Sequence, residues 1–174
     1  MKRLPVNDPE FLPKGEAAFL TGLASLLPDP ARVLELGTGK GNSFTAIAYG
    51  LALHAEWHIW TVDVGECVEG RERIERAHIP PKFYTATRAT TKQYEQEFSA
   101  SVHLLYVDAD HTYSGTRSDI EAFGGRVVRG GLIALDDYCE LHHGVMRAID
   151  ELMTLPWWKF VGRVGRLIAF ERQE

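Results

Sequence analysis

Val33-Leu34-Glu35-Leu36-Gly37-Thr38-Gly39-Lys40-Gly41-Asn42-Ser43 is an extended apolar run that breaks through three glycines into a helical pattern. Without a Cβ, glycine lets a strand turn sharply into a helix and lets the backbone approach a ligand closely. A strand, a glycine turn and a helix are therefore predicted here, with a cofactor lying against the turn. Working outward, Phe19, Leu20, Leu23 and Leu27 are helically spaced between Lys14 and the stop at Pro28-Asp29-Pro30. Extended and amphipathic runs then alternate. Strands are expected at Arg32 to Leu36, His58 to Asp63, Lys82 to Thr87, Val102 to Asp108 and Leu132 to Asp136. The expected helices are Ser43 to Leu53, Glu69 to Ala77, Thr91 to Phe98, Thr116 to Phe123 and Val145 to Leu155.

Two further strands close the chain, Trp157 to Gly162 and Arg166 to Glu171. Only Arg163-Val164-Gly165 separates them, too few residues for the helical crossover that parallel neighbours need, so an antiparallel hairpin is predicted. The fold class expected is α/β: a Rossmann-like doubly wound sheet of seven strands, mostly parallel, with an antiparallel last strand. Residues 1–30 form a leader and a helix, and residues 31–174 form the single catalytic domain of this reading.

Composition narrows the function. The 174 residues are 45% apolar, enough for one domain with a sizeable core. Net charge is -5 and the 19 Lys and Arg are scattered from Lys2 to Arg172, so no basic stripe marks a nucleic-acid partner. Apolar stretches fall well short of the ~20 residues of a membrane span, and Met1-Lys2-Arg3 leads into no apolar signal core. A cytoplasmic protein with no membrane partner is expected. Cys67 and Cys139 lack metal-ligand spacing, and a cytosolic setting would keep both reduced.

The glycine turn lacks the spacing of a phosphate-binding P-loop, because Gly39-Lys40 is followed by Gly41. A dinucleotide fingerprint requires glycine where Asn42 stands and has no use for a carboxylate at Glu35. Glu-x-Gly-x-Gly-x-Gly instead resembles the first motif of S-adenosylmethionine-dependent methyltransferases, and the antiparallel ending resembles the class I variant of that fold. The resemblance implies that Glu35 lies near the cofactor's amino acid portion and that Gly37, Thr38, Gly39, Asn42 and Ser43 line its path. Asp63, ending the second strand, is suited to accept hydrogen bonds from both ribose hydroxyls; the competing role is a cap on the next helix. Thr87 ends the third strand, where members of the family contact adenine.

The fourth and fifth strands run into Asp108-Ala109-Asp110-His111 and Asp136-Asp137. Neighbouring parallel strands lie roughly 4.8 Å apart, so Asp108 and Asp136 are expected to converge beyond the carboxyl edge of the sheet. Like charges held that close repel, and a hard divalent cation, Mg²⁺ or another, resolves the conflict. The alternative is that Asp136 and Asp137 cap the next helix while Asp108 pairs with a base.

Val107 to Tyr113 with Arg117 and Asp119, Gly130 to Ile133, Asp136-Asp137-Tyr138, and Gly144-Val145 with Ala148-Ile149-Asp150 together resemble the metal-dependent methyltransferases of macrolide sugars. Catechol and caffeoyl-CoA methyltransferases are more distant relatives. The likeness runs from Arg32 to Glu171 and implies metal ligation by Asp108, Asp136 and Asp137. Asp108 is counted among the residues beside the cofactor as well. Where the catechol type has a basic lysine this sequence has His111, which the resemblance makes the catalytic base for an acceptor hydroxyl. His142 and His143, in the loop after the acidic pair, are expected to begin the next helix, the alternative being that they reach substrate or the ion.

The reading is thus an S-adenosylmethionine-dependent, Mg-dependent O-methyltransferase acting on a small hydroxylated molecule. Its alternatives are a metal-independent methyltransferase and a cofactor-binding module without catalysis. Macrolide-sugar enzymes carry additional N-terminal segments, whereas about thirty residues precede the first strand here, so the acceptor pocket is expected to be open. Trp157 and Trp158 are candidates for contact with a partner chain, including a second copy, and core packing is the expected use of at least one of them.

Overall fold

A computed structural model describes residues 13–66 and 68–174, so the leader up to residue 12 and Cys67 lie outside the described residues. The strands are β1 (Ala31–Leu36), β2 (Trp57–Asp63), β3 (Tyr84–Arg88), β4 (Val102–Val107), β5 (Val127–Leu135), β6 (Trp158–Val164) and β7 (Leu167–Arg172). The helices are α1 (Lys14–Ser25), α2 (Asn42–Gly50), α3 (Val68–Arg76), α4 (Thr91–Glu97), α5 (Tyr113–Phe123) and α6 (His143–Met153). All seven strands join one sheet in the order β3-β2-β1-β4-β5-β7-β6. β1 to β5 pair in parallel, and β7 runs antiparallel to both β5 and β6. The doubly wound sheet with a reversed last strand, expected from the alternation and the short final connection, is the observed topology.

Burial explains the order. Val33, Leu34, Glu35 and Leu36 of β1 and Leu104, Leu105 and Tyr106 of β4 are wholly buried, as befits central strands covered on both faces. One core layer joins Leu20 and Leu23 of α1, Phe44 and Ile47 of α2 and Ile74 of α3 to one face of the sheet. The other joins Tyr94 of α4, Phe123 of α5 and Ile149 and Leu152 of α6 to the opposite face. Trp158 belongs to the second layer, while Trp157 is 42% exposed. Among the described residues no helix is long and apolar enough to cross a membrane.

Three differences from the expected elements matter for the site. α5 begins at Tyr113, because the Thr112 hydroxyl accepts the Gly115 N–H at 3.1 Å and caps the helix there. β5 starts as early as Val127, paired with Val102 before a register shift. The final hairpin turns at Gly165-Arg166, one residue later than the spacing suggested, so Arg166 lies in the turn and not in a strand. Gly165 has φ 58°, and a Cβ there would run into the Glu16 carboxylate. The register of β7 on β5, Leu135 against Ile168, brings this turn to the carboxyl edge of the parallel strands.

Candidate active site

At that edge a cavity of about 280 Å³ is lined by the glycine turn from Gly37 to Lys40, by Asn42, Ser43, Asp63 and Tyr106, and by Asp108, Ala109 and His111. Its first wall grows from β1. The Gly37 N–H donates to the Val62 carbonyl at 2.9 Å and the Asp108 N–H to the Leu36 carbonyl at 2.8 Å, which seats the turn between β2 and β4. Gly37 has φ 93°, and any Cβ would collide with the Asp108 carbonyl oxygen, so the close approach requires glycine.

Beneath the turn Glu35 is fully buried and stands outside the cavity lining. Ser43 Oγ donates to one of its oxygens at 2.6 Å and Thr61 Oγ1 to the other at 2.5 Å. Thr38 Oγ1 in turn lies 2.5 Å from Thr61 Oγ1. Burial pushes the Glu35 carboxyl up to about 8, opposed by the Ser43 and Thr61 hydroxyls. The hydroxyls of Thr38 and Ser43 are thus engaged in holding the turn onto its floor.

Asp63 lines the cavity where a ribose ligand was expected. Its Oδ2 accepts the Gly39 N–H at 2.9 Å and its Oδ1 the Gly65 N–H at 2.7 Å. These two backbone bonds orient the carboxylate at the cavity lining. Asn42 Nδ2 is buried without a hydrogen-bond partner, a donor left over at the mouth of α2. Thr87 pairs with Val62 and is hydrogen-bonded to Tyr94, outside the cavity lining.

The second wall comes from the end of β4, Tyr106 and Asp108 to His111, and behind it stand the end of β5 and the hairpin turn. Asp108 Oδ1 is 3.3 Å from His111 Nε2, and Asp137 Oδ2 is 3.4 Å from His111 Nδ1, so the imidazole bridges two carboxylates. Asp137 Oδ2 is also 3.5 Å from His142 Nε2, and the two imidazoles stand edge-on at 5.1 Å. Asp137 Oδ1 lies 3.1 Å from Arg166 Nη1. Asp136 is turned inward: its Oδ1 accepts the Asp137 N–H at 2.7 Å and its Oδ2 the Tyr106 hydroxyl at 3.2 Å. Asp137 itself takes φ 61°, a left-handed conformation that aspartate tolerates better than most residues. Glu16, buried in α1, accepts the Arg166 N–H at 2.8 Å and completes the surroundings of that turn.

The charges shift accordingly. Burial raises the Asp108 carboxyl to about 6, with Asp136 and Asp137 pushing the same way and the His111 hydrogen bond opposing. His111 is raised above its usual value, first by its hydrogen bond to Asp108. Asp136 is raised chiefly by burial.

Asp108, Asp136 and Asp137 therefore meet as expected, but they are not equivalent, and the ligand atoms that lie within 4.8 Å of one another belong to His111, Asp137 and His142. Asp110 has a structural role, accepting the Thr112 N–H at 3.0 Å ahead of α5. Sequence reasoning missed Arg166 and Glu16, and for His142 it preferred the helix start over the alternative of contact with substrate or ion. His142 sits in the single turn Glu140–His142 just before α6, and its place in the loop that follows Asp136-Asp137 was the signal available.

A sheet of order 3-2-1-4-5-7-6 with its seventh strand reversed, and a cavity between the β1 glycine turn and the β4–β5 edge, define the class I methyltransferase fold. A family described as a methyltransferase domain matches residues 34–138, and the chain belongs to it. Among solved structures, an O-methyltransferase from Bacillus cereus in complex with SAH is 20% identical, with a TM-score of 0.73, and the match covers 97% of this chain and 84% of that one. A putative O-methyltransferase from Klebsiella pneumoniae is 18% identical over 96% of this chain and 84% of its own, with a TM-score of 0.78. SAH-bound PaMTH1 from Podospora anserina is 14% identical, covers 92% and 78%, and has a TM-score of 0.73. No curated protein matches the chain.

Proposed function

We propose that the protein transfers the methyl group of S-adenosylmethionine to a hydroxyl of a small molecule, with a divalent cation at the acidic corner. The observation that carries this reading is the continuity of one cavity, which runs from the glycine turn, Asn42 and Asp63 to Asp108 and His111. A methyl donor on the first wall then faces a proton acceptor on the second. The unpaired Asn42 Nδ2 and the oriented Asp63 carboxylate fit the donor's carboxylate and ribose hydroxyls. The SAH-bound relatives support the same ligand class. When bound, the sulfonium supplies an activated methyl group.

The chain's own residues deal with the proton. As the methyl moves to oxygen, the Asp108–His111 pair takes the hydroxyl proton, its proton affinity raised in Asp108 by burial and in His111 by their mutual hydrogen bond. His111→Ala is expected to cut turnover by about 10²-fold or more while leaving S-adenosylhomocysteine affinity unchanged in calorimetry. Unaltered methyl transfer in that variant, or the methyl group found on nitrogen with every accepted substrate, would sink the reading.

A metal-independent version has one observation in its favour. Arg166 already compensates Asp136 and Asp137, at 4.0 and 3.1 Å. Methyl transfer that survives exhaustive chelation would select it.

A further inference from the structure

We infer that the divalent ion is held by His111, Asp137 and His142, and that this nitrogen-rich set selects a borderline transition ion such as Zn²⁺ or Co²⁺ over Mg²⁺. The inference rests on the metal-dependent form of the proposed function and names its ion. An all-oxygen site would need the three aspartates together, yet Asp136 is turned inward onto the Asp137 N–H and the Tyr106 hydroxyl, and among the described residues neither it nor Asp108 belongs to the convergent set. The atoms that converge are two imidazole nitrogens and one carboxylate oxygen, all within 4.8 Å of one another. His111 Nδ1 and His142 Nε2 lie 3.4 and 3.5 Å from Asp137 Oδ2. Ligands about 2.0–2.1 Å from a tetrahedral ion stand roughly 3.3 Å apart, so the two edges to Asp137 already match, while the edge between the imidazole nitrogens lies within 4.8 Å.

The surroundings are built for such a set. Arg166 engages Oδ1 of Asp137 and leaves Oδ2 to face the histidines as a single-oxygen ligand. Asp136 accepts the Asp137 N–H and so supports the left-handed backbone that aims the carboxylate. Asp108 sits against Nε2 of His111, the outer carboxylate that fixes a ligating imidazole's tautomer and leaves Nδ1 as the donor. Within the Asp108–His111 pair, the proton-accepting role then falls to Asp108. Mg²⁺ prefers oxygen and keeps its waters, whereas imidazole suits zinc and its neighbours. Three protein ligands also leave a position for an acceptor oxygen.

The test uses the untagged, metal-stripped full chain, titrated with Zn²⁺, Co²⁺ and Mg²⁺ by calorimetry and with Co²⁺ by visible absorption. The expected result is Zn²⁺ affinity at least ~100-fold above Mg²⁺ and an intense low-coordinate Co²⁺ spectrum. His142→Ala should weaken Zn²⁺ by at least ~30-fold and abolish that spectrum, with S-adenosylhomocysteine affinity retained as proof of folding. Asp136→Asn should retain the tetrahedral Co²⁺ spectrum. Equal affinity for Mg²⁺ and Zn²⁺, no ion bound, or Zn²⁺ binding indifferent to His142 overturns the inference. Methyl transfer by the same ion-free protein would show that the proposed function stands without it.

Discussion

The cavity wall contributed by β1 and β2 is made of near neighbours: Gly37 to Ser43 with Asp63 of the adjacent strand, held from below by Glu35 and Thr61. The opposite wall is the end of β4 backed by α1, the end of β5, the turn before α6 and the final hairpin, and the Glu16–Arg166 bond in that backing joins residues 150 positions apart. The first wall works through backbone, with glycines letting the chain approach and side chains holding the turn from below. The second works through charged and ligating side chains whose placement depends on every element of the fold. A backbone site tolerates little change at its glycines, whereas a side-chain site tolerates it or fails according to how charge is compensated.

Substitutions on each wall sharpen that contrast. Gly37→Ala is expected to be the most damaging, because it forces a Cβ into the Asp108 carbonyl at φ 93°. A loss of at least ~2 kcal/mol in urea unfolding, with S-adenosylhomocysteine binding lost, is expected. A stable, binding-competent variant would show that the two walls can separate without harm. Arg166→Met comes next. It strips a partly exposed guanidinium from two buried carboxylates, and about 1–2 kcal/mol of stability at pH 7 is expected to go, discounted for solvent. Because burial raises the Asp136 carboxyl, its protonation as pH falls relieves part of the repulsion and the deficit should shrink at pH 4, and an equal deficit at both pH values would deny Arg166 its compensating role.

Glu35 gives a test by pH. Its carboxyl ordinarily titrates at 4.5 and is pushed up to about 8 in the fold, so between those values the folded state binds the extra proton. Its contribution to stability is therefore complete below pH 4.5, falls as pH rises and is lost by about pH 8, at no more than ~1.4 kcal/mol per pH unit. Glu35→Gln should flatten that part of the stability profile measured by urea melts. An unchanged slope would mean that the folded carboxyl is ionised. The smallest effect is expected from Asn42→Ala, which removes an unpaired donor: stability within ~0.5 kcal/mol of the wild type, with S-adenosylhomocysteine bound about tenfold more weakly. Unchanged affinity would mean that the buried amide faces no ligand.

The element order, the reversed last strand, the glycine turn and the strand-end acids were all legible in the sequence. Each is encoded locally, by hydrophobic period, by glycine at a strand end, or by a connection too short to cross over. Gly37 to Ser43 could be placed beside Asp63 from topology alone, since adjacent strands bring their ends together. The burial of Glu35 beneath the turn was not legible in the same way, because only packing decides which side chains of a central strand meet the cavity. Asp136 and Asp137, identical and consecutive, divide into an inward support and a ligand-facing carboxylate through the left-handed backbone of Asp137 and the Tyr106 hydroxyl.

The glycine turn that identifies the fold was thus determined by the sequence itself, since its function resides in a run of consecutive residues and their backbone. Arg166, Glu16 and His142 were decided only by the tertiary structure. A hairpin turn, the helix ahead of the first strand and a single turn before the last helix have no local pattern that relates them, and they meet because the sheet delivers all three to the same edge.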